Sequence, residues 1–259
     1  SLFARNNMKP GLDSAARDVE TWADRIIARG RRLSETFAPI AAGAGAAAGA
    51  ALSAGITHAV NLSDAQTLLQ AQLGLAADDA EVAGTVAGDV FARGFGESLD
   101  QVADAIAGVH TNIGALGDLT ASELEEMTVQ ALSLARAFDQ DVSQATVAAG
   151  QLMKTGLAAN ATEAFDLLTA GFQAGLDRSG DFLDTIVEYS TQFRDLGLSG
   201  EQALGLISQG LQAGARDADM VADALKEFSI EAVAGSERIA SAWEELGLDA
   251  DTMFARIGA

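Results

Sequence analysis

From Leu12 the apolar positions fall at Leu12, Ala15, Ala16, Val19, Trp22, Ala23, Ile26, Ile27 and Leu33, with charged residues between them. That spacing predicts a helix with one apolar and one charged face over residues 1–35. Arg25, Arg29, Arg31 and Arg32 lie on its charged side and make it a basic arm. Such a helix can lie on an anionic membrane or pack against a partner helix, and plain packing within its own protein is the competing reading.

The next stretch has a different character. Residues 41–51 are all Ala or Gly, and no charged side chain occurs between Thr36 and Thr57. As a helix, 36–57 would span about 33 Å, enough for a bilayer core. Gly45 and Gly49 form a GxxxG pair, and Gly43 and Gly55 add further small positions for close helix approach. Leu52 and Ile56 are the main large apolar residues, so the segment carries little of the transfer energy that drives insertion. Residues 36–60 therefore read as an uncharged helix that packs tightly or enters a membrane in another state.

From residue 61 to about 235 the pattern repeats. Thr162–Ser190 aligns with Glu201–Ser229 at a shift of 39 without a gap, and nine pairs are identical. They include Gly171/Gly210, Gly175/Gly214, Asp184/Asp223 and Glu188/Glu227. An echo lies 119 residues upstream, where Asp100–Ile106 resembles Asp219–Leu225. Gly74, Gly117, Gly156, Gly197 and Gly247 punctuate the chain as helix stops. Four of them precede a helix-start signature: Asp78-x-x-Glu81, Thr120-x-x-Glu123, Asn160-x-x-Glu163 and Ser199-x-x-Gln202. Each unit of about 40 residues thus reads as a helical hairpin. Hairpins with such a period must stack to bury their apolar faces. Gly171, Gly175, Gly210 and Gly214 are expected at the packing contacts between helices, and residues 236–259 as a further helix continuing into a longer chain. The fold class expected is all-α: stacked hairpins preceded by a basic amphipathic helix and a Gly/Ala-rich helix.

Composition narrows the function. The 259 residues contain 16 Lys+Arg against 37 Asp+Glu, a net charge of −21, and no Cys. That removes disulfide frameworks and thiolate metal sites, and it opposes nucleic-acid binding, which needs clustered cations. The charge is uneven. Residues 1–32 hold seven basic and four acidic side chains, whereas the remainder hold nine and 33. A basic arm on an acidic body is the usual meaning of such asymmetry.

No constellation for catalysis stands out. His58 and His110 are the only histidines and are far apart in sequence. There is no GxSxG elbow, no HExxH and no phosphate loop ending in Gly-Lys-Ser/Thr. Asp177-Arg178-Ser179-Gly180-Asp181 has acidic spacing reminiscent of a calcium loop but lacks the terminal Glu of an EF-hand. No cofactor, metal ligand set or catalytic residue is expected, and the reading is of a protein that is not an enzyme.

A resemblance adds to these readings. The Gly/Ala segment followed by "NLSDAQTLLQAQLGL", "GESLDQVADAI", "LARAFDQDVSQATVAAGQLMKTGLA" and "LLTAGFQAGLDRSGDFLDTIVEYSTQFRDLGLSGEQALGLISQGLQAGARDADMVADALKEFSI" is similar to the conserved region of tail tape measure proteins of long-tailed phages and prophages, particularly those of actinobacterial hosts. It covers roughly residues 38–257. The resemblance implies a virion protein that occupies the tail tube, sets tail length and leaves ahead of the genome at infection to assist its passage across the host envelope. It implies tail tube protein, tail-assembly chaperones and tip or baseplate proteins as partners, self-association into a homo-oligomer, host cytoplasm during assembly and contact with the host membrane after ejection. The competing readings are a helical-repeat scaffold for a protein partner and a glycine-zipper pore former.

Overall fold

In the computed structural model the described residues are 66–245, 247 and 249–252. The basic arm (Arg25, Arg29, Arg31, Arg32) and the Gly/Ala segment (Gly43, Gly45, Gly49, Leu52, Gly55, Ile56) lie outside them, as does His58. After a helical stretch at 66–73, the chain forms α1 (Ala77–Ala92), α2 (Leu99–Asn112), α3 (Ala121–Phe138), α4 (Val142–Lys154), α5 (Ala161–Gln173), α6 (Phe182–Asp195), α7 (Gly200–Gln212), α8 (Ala218–Val233) and α9 (Glu237–Glu245). A single 3-10 turn, Leu116–Asp118, links α2 to α3. The all-α expectation is borne out, and no strand occurs among the described residues.

The described residues divide into two compact units between Ala170 and Gly171. In the first, α1 pairs with α2 and α3 with α4. The first helices of the two hairpins then pack together (α1 on α3), as do the second helices (α2 on α4). A hairpin layered on its neighbour in this register buries an apolar face that it could not cover alone. The core includes Leu69, Val90, Val102, Ile106, Leu124, Leu152, Leu167 and Leu168, each at most 2% exposed. In the second unit α8 packs on both α6 and α7 around Leu176, Phe182, Ile186, Phe193 and Ile207. Phe172 meets Phe182 edge-on at 5.1 Å between ring centres. Burying a side chain of this size contributes about 2–3 kcal/mol.

Three of the four helix starts that the signatures predict are capped as expected. Thr120 and Glu123 form a reciprocal box, as do Ser199 and Gln202. Asn160 accepts from the Glu163 amide at 2.9 Å, but the Glu163 carboxylate turns back to the Ala159 amide instead of that of Asn160. The Asp78-x-x-Glu81 expectation fails. α1 starts after Ala76, which has no side chain to accept a bond, and Asp78 sits inside the first turn. There its charge still favours the positive end of the helix dipole.

The glycine stops are similarly divided. Gly74, Gly156, Gly197 and Gly247 take φ of +65 to +76°, a left-handed backbone that only glycine adopts without strain. Gly117 is not a stop. It lies inside the 3-10 turn, while α2 ends at Ile113. His110 assists that ending, its Nδ1 accepting the Leu116 amide at 2.9 Å. α3 ends without glycine, on Asp139 at φ 54°.

Candidate interaction surface

The four glycines expected as packing positions perform two different tasks. A Cβ on Gly171 would overlap the Phe182 ring, and one on Gly210 would meet Val221 Cγ2 at 2.6 Å. The two contacts are equivalent at the 39-residue shift. In each, the missing side chain admits an apolar group from the hairpin's second helix. Gly175 and Gly214 have open space around them and take φ of +71° and +107°. They turn the chain after α5 and α7 and do not pack, which corrects the expectation for these two positions.

Two further glycine contacts escaped the sequence reading. On α2 a Cβ at Gly108 would overlap Thr146 of α4, and on α4 a Cβ at Gly150 would overlap the Asn112 carbonyl of α2. Asn112 Nδ2 spans the crossing, donating to Gly108 O at 3.0 Å and to Thr146 Oγ1 at 3.4 Å. A glycine on each helix brings the two backbones together. The Gly108 and Gly150 contacts join α2 to α4, so a 39-residue comparison of hairpins has no equivalent pair to reveal them.

The two outer carboxylates of the loop Asp177–Asp181 accept backbone amides, one near the start of its own helix and one from α8, and Asp181 Oδ1 is buried without a partner. Asp177 Oδ1 accepts the Phe182 amide at 3.1 Å, and Asp181 Oδ2 accepts the Asp219 amide at 3.1 Å. In the equivalent stretch of the next hairpin, Asp217 Oδ1 accepts from Met220 at 2.9 Å, and α8 starts three residues earlier in repeat register than α6. Gly180 at φ +73° delays α6. Ser98, three periods before Asp217, caps α2 in the same way through the Gln101 amide at 3.1 Å. Among the described residues no three His, Asp or Glu side chains are grouped as a metal ion would require.

The electrostatic centre of the second unit lies along α6 and α8. Lys226 of α8 binds Asp223 at 2.8 Å and Glu227 at 3.7 Å, and its ammonium lies 5.7 Å from the centre of the Tyr189 ring on α6. The Asp223 hydrogen bond raises the Lys226 pKa, and Glu188 adds to the effect across the helix pair. Burial raises the Tyr189 pKa, with Asp219, Glu188 and Asp223 contributing. Asp217 is held below the usual carboxylate range by its bond to Arg216 and by the Met220 amide. On the outer side Met220 and Ile230 are 53% and 54% exposed. The surface is acidic, with apolar residues set into it.

An all-α protein made of repeated helical hairpins is what this architecture defines. Residues 89–257 match the model of the phage-related minor tail protein family, and the chain belongs to that family. Over 86 residues it is 43% identical to the "Probable tape measure protein" of Streptomyces phage phiC31, a stretch covering 33% of this chain and 12% of that protein. The chain thus matches only a small part of that relative's length. No solved structure matches. The resemblance to tail tape measure proteins is borne out by these two matches.

Proposed function

We propose that the chain is a region of a tape measure that sets tail length, acting as a structural component of the virion and not as a catalyst. The match to a protein named as a probable tape measure carries this reading. The helical content supports it, because a helix converts residue count into length at about 1.5 Å per residue. Tail tube subunits, tail-assembly chaperones and tip or baseplate proteins are the partners proposed, with self-association of the chain inside the tube. Removing one 39-residue period, 163–201, from the gene of a phage that encodes the chain should shorten its tails by roughly 60 Å if the tape is helical. Electron microscopy of the virions measures this, and tails of unchanged length would sink the proposal.

The ejection role is a separate element. Residues 36–57 are proposed to contact the host membrane after leaving the tail. No described helix is long and apolar enough to cross a membrane, and this segment lies outside the described residues. The observation in its favour is an uncharged length suited to a bilayer. The chain should float with anionic liposomes and make them leak, and Gly45→Asp with Gly49→Asp should abolish both. Equal flotation of parent and variant, or of neither, would refute a membrane role for the segment.

A further inference from the structure

Among the described residues 171–252 the acidic face of α6 and α8 is poorly neutralised. Residues 171–252 hold sixteen acidic and five basic side chains. Of the five, Arg194, Arg216, Lys226 and Arg238 are already ion-paired within the unit. Asp184 and Glu188 are exposed on α6, and the repeat places Asp223 and Glu227 at equivalent positions on α8. The two helices pack together. Glu188, Asp223 and Glu227 all act on the single ammonium of Lys226, so the three carboxylates share one neighbourhood. Along α8, Met220, Ala224, Glu227 and Glu231 recur at i, i+4, i+7 and i+11, one stripe of the helix. Met220 is half-exposed on it, and Ile230 beside it equally so.

The sequence contains one segment with the opposite pattern. Residues 1–32 hold seven of the chain's 16 cations against four acidic side chains, and the cations concentrate in 25–33, which holds Arg25, Arg29, Arg31 and Arg32 and no acidic side chain. Arg25, Arg29 and Arg32 recur at i, i+4 and i+7, next to an apolar row of Val19, Trp22 and Ile26. Charge and apolar character are both complementary, and both are needed. Exposed ion pairs are individually weak and screened by salt, so a docked helix also has to bury apolar surface.

We infer that the basic segment 12–33 docks on the acidic face formed by α6 and α8 of its own chain, covering Met220 and Ile230. This contact lies within the chain and does not depend on the tape-measure reading. It would hold the arm away from anionic surfaces until a stronger anionic partner or high salt displaced it.

The full chain tests this directly. It has no native cysteine, so Ser14→Cys and Ala234→Cys accept spin labels at those two positions alone. Double electron–electron resonance should show a narrow short distance within one chain. Glu188→Lys with Glu227→Lys should abolish it, whereas Asp100→Lys with Asp104→Lys on exposed α2 positions should leave it intact. Adding Arg25→Glu and Arg29→Glu to the first variant should restore it. Circular dichroism establishes that each variant retains its helices. Should Glu188→Lys with Glu227→Lys unfold the protein, Arg25→Glu with Arg29→Glu alone must still abolish the short distance. A broad distance in the parent, or a distance indifferent to these reversals, would overturn the inference. So would a short distance that arises only when singly labelled chains are mixed, since the occupant would then be a second copy.

Discussion

Glycine in this protein has two physical roles that its position in the sequence does not distinguish. Gly171 faces the ring of Phe182, which is fully buried and already in edge-on contact with Phe172. In Gly171→Ala the gain in helix propensity, at most about 1 kcal/mol, opposes an overpacking cost of about 1–3 kcal/mol in a rigid core. The second effect wins because the obstacle is a locked aromatic ring and not a flexible tip. Gly175→Ala meets no neighbour, and its cost is that of a left-handed backbone, about 1–2 kcal/mol. Both variants should lower the urea midpoint. Only the first should also shift the near-ultraviolet aromatic signal, and a signal unchanged in both would count against the Phe182 contact. The acid limb of stability has a residue-level origin too. Hydrogen bonds from the Thr120 hydroxyl and amide hold Glu123 below its ordinary value of 4.5. A carboxylate with a lowered folded pKa stabilises fully above its unfolded value and loses that contribution as pH falls through the folded one. Glu123→Gln should therefore narrow its stability gap to the parent as pH drops from 6 to 3, as followed by urea midpoints. A gap that is constant across that range would refute the assignment.

At the scale of the helix, start signals were legible at Thr120, Asn160 and Ser199, whose side chains cap with a partner three residues on. The side-chain caps of Ser98, Asp141 and Asp217 went unread, and α1 begins with no side-chain cap. Thr120 and Ser199 announce their helices because a hydroxyl and a carboxylate or amide three residues on satisfy free amides reciprocally. α1 begins at Ala76, where nothing in the side chain marks the start, and Asp78-x-x-Glu81 misled by mimicking a box one turn inside. The repeat was legible because apolar and glycine positions recur in one register. The α2–α4 crossing was not, since Gly108 faces Thr146 and Gly150 faces the Asn112 carbonyl only through tertiary contact, and neither carries a local signature. For the candidate surface, the acidic positions Asp184, Glu188, Asp223 and Glu227 were visible in the 39-residue alignment. The convergence of Glu188, Asp223 and Glu227 on Lys226 required the packing of α6 on α8. Caps offer a graded test. Ser199→Ala should cost about 1 kcal/mol, and Ala76→Asp should gain a similar amount, since Ala76 already has the extended φ of −60° and ψ of 157° that a cap adopts. Thermal denaturation measures both signs. A neutral Ala76→Asp would mean that α1 is limited by tertiary packing instead of by its first turn.

At the scale of the molecule, a net charge of −21 sets two electrostatic effects against each other. The repeats repel themselves, because within residues 171–252 acidic side chains outnumber basic ones by sixteen to five. Salt shortens the reach of that repulsion to about 10 Å at 0.1 M, so adding salt should raise the thermal midpoint of the helical body. A basic arm held by the same acidic face would respond in the opposite direction, since the attraction that docks it is screened just as well. The two signs can be read in one experiment by hydrogen exchange of the full chain between about 0.02 and 0.5 M salt. Amides of α6 and α8 away from the stripe, such as those flanking the buried Phe193 and Ile186, should exchange more slowly as salt rises. Amides of 12–33 should exchange faster. If every amide instead moves in one direction, a single effect governs the molecule. Uniform slowing would leave self-repulsion as the only long-range term and remove the electrostatic basis for docking the arm.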